Sequence, residues 1–218
     1  MVEGLRELAI GLLNADTSQN KYPNTLEKCR TLGAYLIRSI VKSCAEELPA
    51  MMKHLLKVSS RSSFHTECLA GCLEMRTRQI IQPSIIGRTC EIIRHLPMMD
   101  SDSASLIVKA LSNAFHLNYM LLDQLMLNLR KTIWKSVEAR RTAARIMIIL
   151  LSNSKVVGDI PFSQYSESQR MQDSQGQVLS LGQIPDQQPL CMEILTLTKR
   201  CFNQQCEIRK ELYLGIAK

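Results

Sequence analysis

Aromatic residues are scarce in this chain: four Phe, five Tyr and one Trp, about 5% of 218 residues. With so few aromatics, no interleaving with the cations suggests base stacking, so any nucleic-acid contact is expected at phosphates and indifferent to sequence. No apolar run approaches the roughly 20 residues a membrane-spanning helix needs. The opening residues carry Glu3, Arg6 and Glu7 where a secretory signal would be apolar. No C-x-x-C pair occurs among the eight cysteines, and HExxH, GxSxG and a glycine-rich phosphate loop are all missing. Cys68 and Cys72 share a helical face one turn after His65, but no second pair completes the four ligands zinc takes. The four His are scattered. These absences point to a soluble, non-secreted chain from a reducing compartment, with no catalytic residues, metal ligands or cofactor.

Apolar residues make up 45% of the chain, enough to bury a core. They recur with the helical period: Leu26, Cys29, Leu32, Leu36, Ile40 and Val41, then Leu48, Met51, Met52, Leu55 and Leu56. Strand signals are almost absent. Breaks are expected at residues 16–24, around Pro49, at 59–63, near Pro83, at 97–102 and near Ser136, with Pro49 and Pro83 in first helical turns, where a missing N–H is harmless. Met51-Met52 and Met98-Met99 read as core filling. Short loops between amphipathic helices in an aromatic-poor chain favour stacked helical hairpins over a compact bundle. The expected fold is all-α: an α-solenoid of antiparallel hairpins, HEAT- or armadillo-like, with one long flexible loop. Residues 118–132 and 136–152 form a predicted pair whose second member presents the small face Ala139, Ala143 and Ala144. Such an array needs neighbours at its ends, which is expected of a portion of something longer.

The helical pattern fails after Asn153. Residues 154–188 are rich in Gln and Ser, punctuated by Gly and Pro, and too poor in apolar residues to offset ordering entropy. They are read as a flexible regulatory loop between an α-solenoid segment, 1–153, and the start of a following helical domain, 189–218. Ser163-Gln164, Ser168-Gln169 and Ser174-Gln175 recur there, where composition alone would give roughly 1.4 such pairs. Ser-Gln is the dipeptide favoured by kinases that answer broken or stalled DNA.

Net charge is +7, which favours polyanionic partners. Much of it is local. Arg130, Lys131, Lys135, Arg140, Arg141 and Arg145 have only Asp123 and Glu138 nearby in sequence, so the positive field is expected to be largely uncancelled and ready for DNA or phosphoserine phosphates. Three phosphates on the loop would add roughly −5 to −6 of charge.

Residues 127–164, LNLRKTIWKSVEARRTAARIMIILLSNSKVVGDIPFSQ, carry Leu-Arg-Lys at 129–131, a basic alanine helix ending in a Leu/Ile run, Lys155-Val156-Val157-Gly158 and a Ser-Gln cluster. In that order they resemble the central part of the Fanconi anaemia group I family. Weaker similarity runs through Glu3-Gly4-Leu5, Leu32-Gly33-Ala34, Leu56-Lys57-Val58 and Cys191-Met192-Glu193-Ile194. The resemblance implies ubiquitin attachment at Lys131 by the Fanconi ubiquitin ligase machinery, and checkpoint-kinase phosphorylation at Ser163, Ser168 and Ser174. It also implies a heterodimer with the group D2 protein that clamps double-stranded DNA at interstrand crosslinks, in the nucleus and also the cytoplasm. Arg130, Lys135, Arg140, Arg141 and Arg145 are the candidate DNA or phosphate contacts. The alternative is a generic HEAT-like adaptor for acidic peptides, with the loop as an inert linker.

Overall fold

The periodicity becomes eleven α-helices and two 3-10 turns among the residues described by the computed structural model, 2–15, 23–59, 62–153 and 187–217, and no strand occurs among them. The helices are α1 (Val2–Leu13), α2 (Pro23–Ser43), α3 (Leu48–Ser59), α4 (Ser63–Met75), the single turn α5 (Thr77–Ile80), α6 (Ile86–His95), α7 (Ser101–Leu117), α8 (Tyr119–Thr132), α9 (Val137–Asn153), α10 (Gln187–Phe202) and α11 (Cys206–Ile216). In one layer α2, α4, α7, α9 and α11 each pack on the next; in the other, α3, α6 and α8 stack in turn. Contacts of α1 with α2, α3 with α4, α7 with α8 and α10 with α11 tie the hairpins together. This is an all-α solenoid. A single cluster of buried hydrophobic residues extends along it from Ala9 to Leu212.

The apolar stripes explain these contacts. In α3, Leu48, Met51, Met52 and Leu55 are fully buried at helical spacing, each stabilising by about 1.5–3 kcal/mol relative to exposure. In α2 the buried stripe is Leu26, Gly33, Ala34, Ile37, Ile40 and Val41, while Leu32, expected on it, lies half exposed. The small residues turn inward because α1 crosses α2 at Gly33: a Cβ there would stand 2.6 Å from Leu13 N and 2.8 Å from Ala9 O. Pro49 lies in the first turn of α3, as expected. Pro83 lies in the turn before α6, not inside the helix, because the chain reverses over residues 81–85 before Ile86 starts the helix. Met98, expected in the core, is 77% exposed, whereas Met99 is buried.

Helix ends leave carbonyls without intrahelical partners, and this fold closes several of them from a neighbouring element. Arg30 of α2 donates Nε and Nη2 to Ala15 O, beyond the end of α1, at 3.1 and 2.9 Å, and lies over the Phe64 ring of α4. Arg76 forks onto Val41 O at 3.0 and 2.8 Å and also reaches Lys42 O, closing the end of α2. Asn128 of α8 donates to Ile93 O of α6 at 2.6 Å. At helix starts, Asp100 accepts from Ser103 N at 2.9 Å, and Asn118 accepts from Met120 N at 3.0 Å. The Arg76 and Asn128 bonds tie one repeat to the next, and the two caps each close a single helix start. His65 belongs to the same framework: it is buried and bonded to Asn14 Oδ1 at 2.7 Å. Burial holds its ring below the usual histidine range. Cys68 and Cys72 are buried in α4, with Cys68 Sγ 3.8 Å from Ala34 O.

Candidate interaction surface at the α8–α9 turn

The helical pair expected at 118–132 and 136–152 forms as α8 and α9, joined by a turn over residues 133–136. Thr132 and Ile133 are buried at the end of α8, and Ile133 N donates to Leu129 O, so the backbone stays helical for one more residue. Ser136 then opens α9, its hydroxyl accepting from Ala139 N. The small face of α9, Ala139, Thr142, Ala143 and Ala144, is buried, which lets α7 and α11 approach it closely. Its basic residues are thereby carried to the flanks of the contact.

Those flanks are not an open positive surface. Arg130 Nε lies 2.5 Å from Glu193 Oε1 of α10, and that bond raises the guanidinium's pKa. Arg141 Nε lies 3.2 Å from Glu211 Oε2 of α11. Arg145 reaches Glu211 Oε1 at 3.3 Å and Asp102 Oδ1 of α7 at 2.7 Å. Glu211 is only 14% exposed, so its two bonds lie in a largely desolvated position. Arg140 is half buried, with its Nε lacking an acceptor among the described residues. It faces the buried Cys201, whose thiol burial pushes up and Arg140 pulls down. The expectation of an uncancelled field over Arg130, Arg141 and Arg145 is therefore corrected. Only nearby acids count in the chain, but Glu193 and Glu211 come from 63 and 70 positions away.

Lys131 and Lys135 behave differently. Both are exposed, and among the described residues no carboxylate pairs with either. Met120, Leu127 and Lys131 follow at spacings of seven and four, which puts them on one face of α8. Both apolar members are exposed, and Trp134 in the turn beyond is 79% exposed. Trp is highly buried on average, and here its exposed ring extends an apolar row beside an unpaired lysine. The basic run thus divides: Arg130, Arg141 and Arg145 pair across helices, while its lysines stand on an open face. Ser163, Ser168 and Ser174 lie outside the described residues.

The ion pairs make a test of the solenoid's second half. Glu211→Lys would set a third cation against Arg141 and Arg145, for an expected loss of about 2 kcal/mol, below the cost of a fully buried broken pair because both arginines keep solvent access. Native-state hydrogen exchange is the measurement: amides of α10 and α11 exchange faster while those of α3 and α4 keep their protection. Unchanged exchange throughout would show that the network holds nothing.

The family model for FANCI helical domain 2 matches residues 162–218. The Fanconi anemia group I protein of Gallus gallus is 28% identical over 130 residues, and its homolog in Mus musculus is 30% identical over 130 residues. Each alignment covers 59% of this chain and 10% of the relative, so the matched stretch spans about a tenth of the length of these curated relatives. An all-α solenoid whose end matches that helical domain, and whose relatives are Fanconi anemia group I proteins, is similar to a short part of those proteins.

Proposed function

We propose that these residues form a regulated contact surface of a DNA-repair scaffold in the Fanconi anaemia pathway. Lys131 is the acceptor for ubiquitin, and the surface around it meets the group D2 protein in a heterodimer that closes on double-stranded DNA in the nucleus. The observation that carries this reading is the row Met120, Leu127, Lys131 and Trp134, exposed and free of ion pairing beside Arg130, Arg141 and Arg145, which are each engaged by a carboxylate. Such a row gives a partner apolar area to bury. It also leaves the lysine amine reachable before that burial.

The ion pairs revise how charge would work there. Phosphate can reach Lys131 and Lys135 without rearrangement, whereas Arg130, Arg141 and Arg145 must first give up Glu193, Glu211 or Asp102. Phosphoserine at Ser163, Ser168 or Ser174 carries about −1.5 to −2. It would compete with those carboxylates for the same guanidinium groups and so bias the contact of α9 with α10 and α11. A bidentate arginine–phosphate pair is the stronger of the two.

The test is the full-length protein carrying Leu127→Asp and Trp134→Asp. Both side chains are exposed, so thermal melting should stay as in the native protein. Affinity for the group D2 protein is expected to fall at least about tenfold, which is 1.4 kcal/mol, and retention on duplex DNA to fall with it. Native affinity in the double variant would remove this surface from the heterodimer.

A further inference from the structure

Met98 has no structural reason to be where it is. It projects from the 3-10 turn Leu96–Met98 that ends α6, 77% exposed, at the mouth of a groove of about 380 Å³ between α3 and α6. Lys53 and Lys57, one turn apart on α3, form one wall; Glu91 and His95, one turn apart on α6, form the other. Leu56 and the buried Met99 line it between them.

We propose that this groove is a second binding site, and that it takes a short acidic peptide segment carrying one large apolar side chain. The charge argument comes first. Glu91 is engaged by Arg88 at 2.8 Å, which holds its carboxyl below the usual range. Lys53 and Lys57 are exposed and have no carboxylate partner among the described residues. The groove therefore offers two free ammonium groups and a neutralised acid. The apolar argument is independent. Two methionines and a leucine in one groove form a polarizable, adaptable lining, of the kind used at surfaces that accept varied peptide side chains. The volume lies near the lower end for ligand pockets, about 300 Å³, which suits one buried side chain and its flanks. DNA fits less well. A phosphate backbone would gain nothing from Met98, Leu56 and Met99.

The site is separate from the Lys131 face and does not depend on its reading. The experiment is fluorescence anisotropy on the full chain with three probes: a hexapeptide of Asp and Glu with one central Leu, the same peptide with Gly at the centre, and a short DNA duplex. The Leu peptide is expected to bind, and the Gly peptide to bind about tenfold more weakly. Lys53→Glu with Lys57→Glu is expected to weaken the Leu peptide at least tenfold, and Met98→Ser about threefold, with melting unchanged because all three side chains are exposed. No binding of the Leu peptide to the native chain overturns the proposal. So does binding indifferent to the central residue, or a duplex that displaces the peptide and weakens by the same factor in the Lys53/Lys57 variant, since either makes the groove a general polyanion surface.

Discussion

Lys131→Arg is expected to reduce ubiquitin attachment to background in a reconstituted reaction with the full-length protein, the group D2 protein and DNA, while Lys135→Arg leaves it at the native level. The contrast depends on chemistry more than charge. A deprotonated lysine amine attacks the thioester carbonyl of activated ubiquitin; the new C–N bond replaces the C–S bond, the thiolate leaves, and the amine's proton passes to a base. A guanidinium keeps the length and the positive charge but is not a nucleophile at working pH, since it holds its proton above pH 12. Lys131 is exposed on an open helix face, so the substitution should change folding stability by no more than about 0.5 kcal/mol. Binding of the group D2 protein, which depends on Leu127 and Trp134 in the proposed contact, should stay near native. Modification that persists in Lys131→Arg moves the acceptor elsewhere and leaves the exposed row without its proposed purpose.

The division between lysines and arginines shows what the chain could and could not reveal by itself. Helices and their breaks are local properties, and α3, the α8–α9 turn at Ser136 and the restart of helix close to residue 189 follow from periodicity and punctuation. Which residue of an amphipathic stripe turns inward is not local. Leu32 fits the apolar period of α2, but Gly33 and Ala34 take the buried place because α1 passes there. Met98 likewise reads as half of a core pair and ends in the open, since the 3-10 turn separates it from Met99. The same limit governs charge: Asp123 and Glu138, the acids nearest in sequence, pair with none of the arginines, while Glu193 and Glu211 arrive through tertiary packing. A signal for this exists in the chain. Glu193 and Glu211 lie within short helices whose buried lines, Ile194, Leu197 and Cys201 in one and Ile208 and Leu212 in the other, turn them toward a basic partner helix.

The largest stability effect is expected at Gly33. A Cβ built there meets Leu13 N at 2.6 Å, Ala9 O at 2.8 Å and Leu12 C at 3.1 Å, all backbone atoms of the neighbouring helix end. Backbone cannot rotate aside as a side chain can. Gly33→Ala must therefore push α1 away from α2, opening gaps around Ala9, Leu13 and Ile37, which are now fully buried. Alanine's helix propensity returns about 0.5–1 kcal/mol, whereas overpacking costs about 1–3 kcal/mol and more where no atom can yield. With backbone on every side the cost falls at or above the top of that range, so a net loss of about 2–3 kcal/mol is expected. Because a solenoid is stabilised repeat by repeat, the loss should fall first on the α1–α2 hairpin, read as faster amide exchange in α1 and early protease cleavage there. Gly11→Ala is the control in the same helix pair. Nothing lies within 4 Å of its added Cβ, so propensity alone acts and the hairpin should gain stability. Gly215→Ala falls between them: its Cβ would meet Ile148 Cδ1, the free end of a side chain that can turn. If Gly33→Ala is as stable as Gly11→Ala, α1 does not cross α2 at this distance, and the packing that sets the first hairpin of the solenoid is wrong.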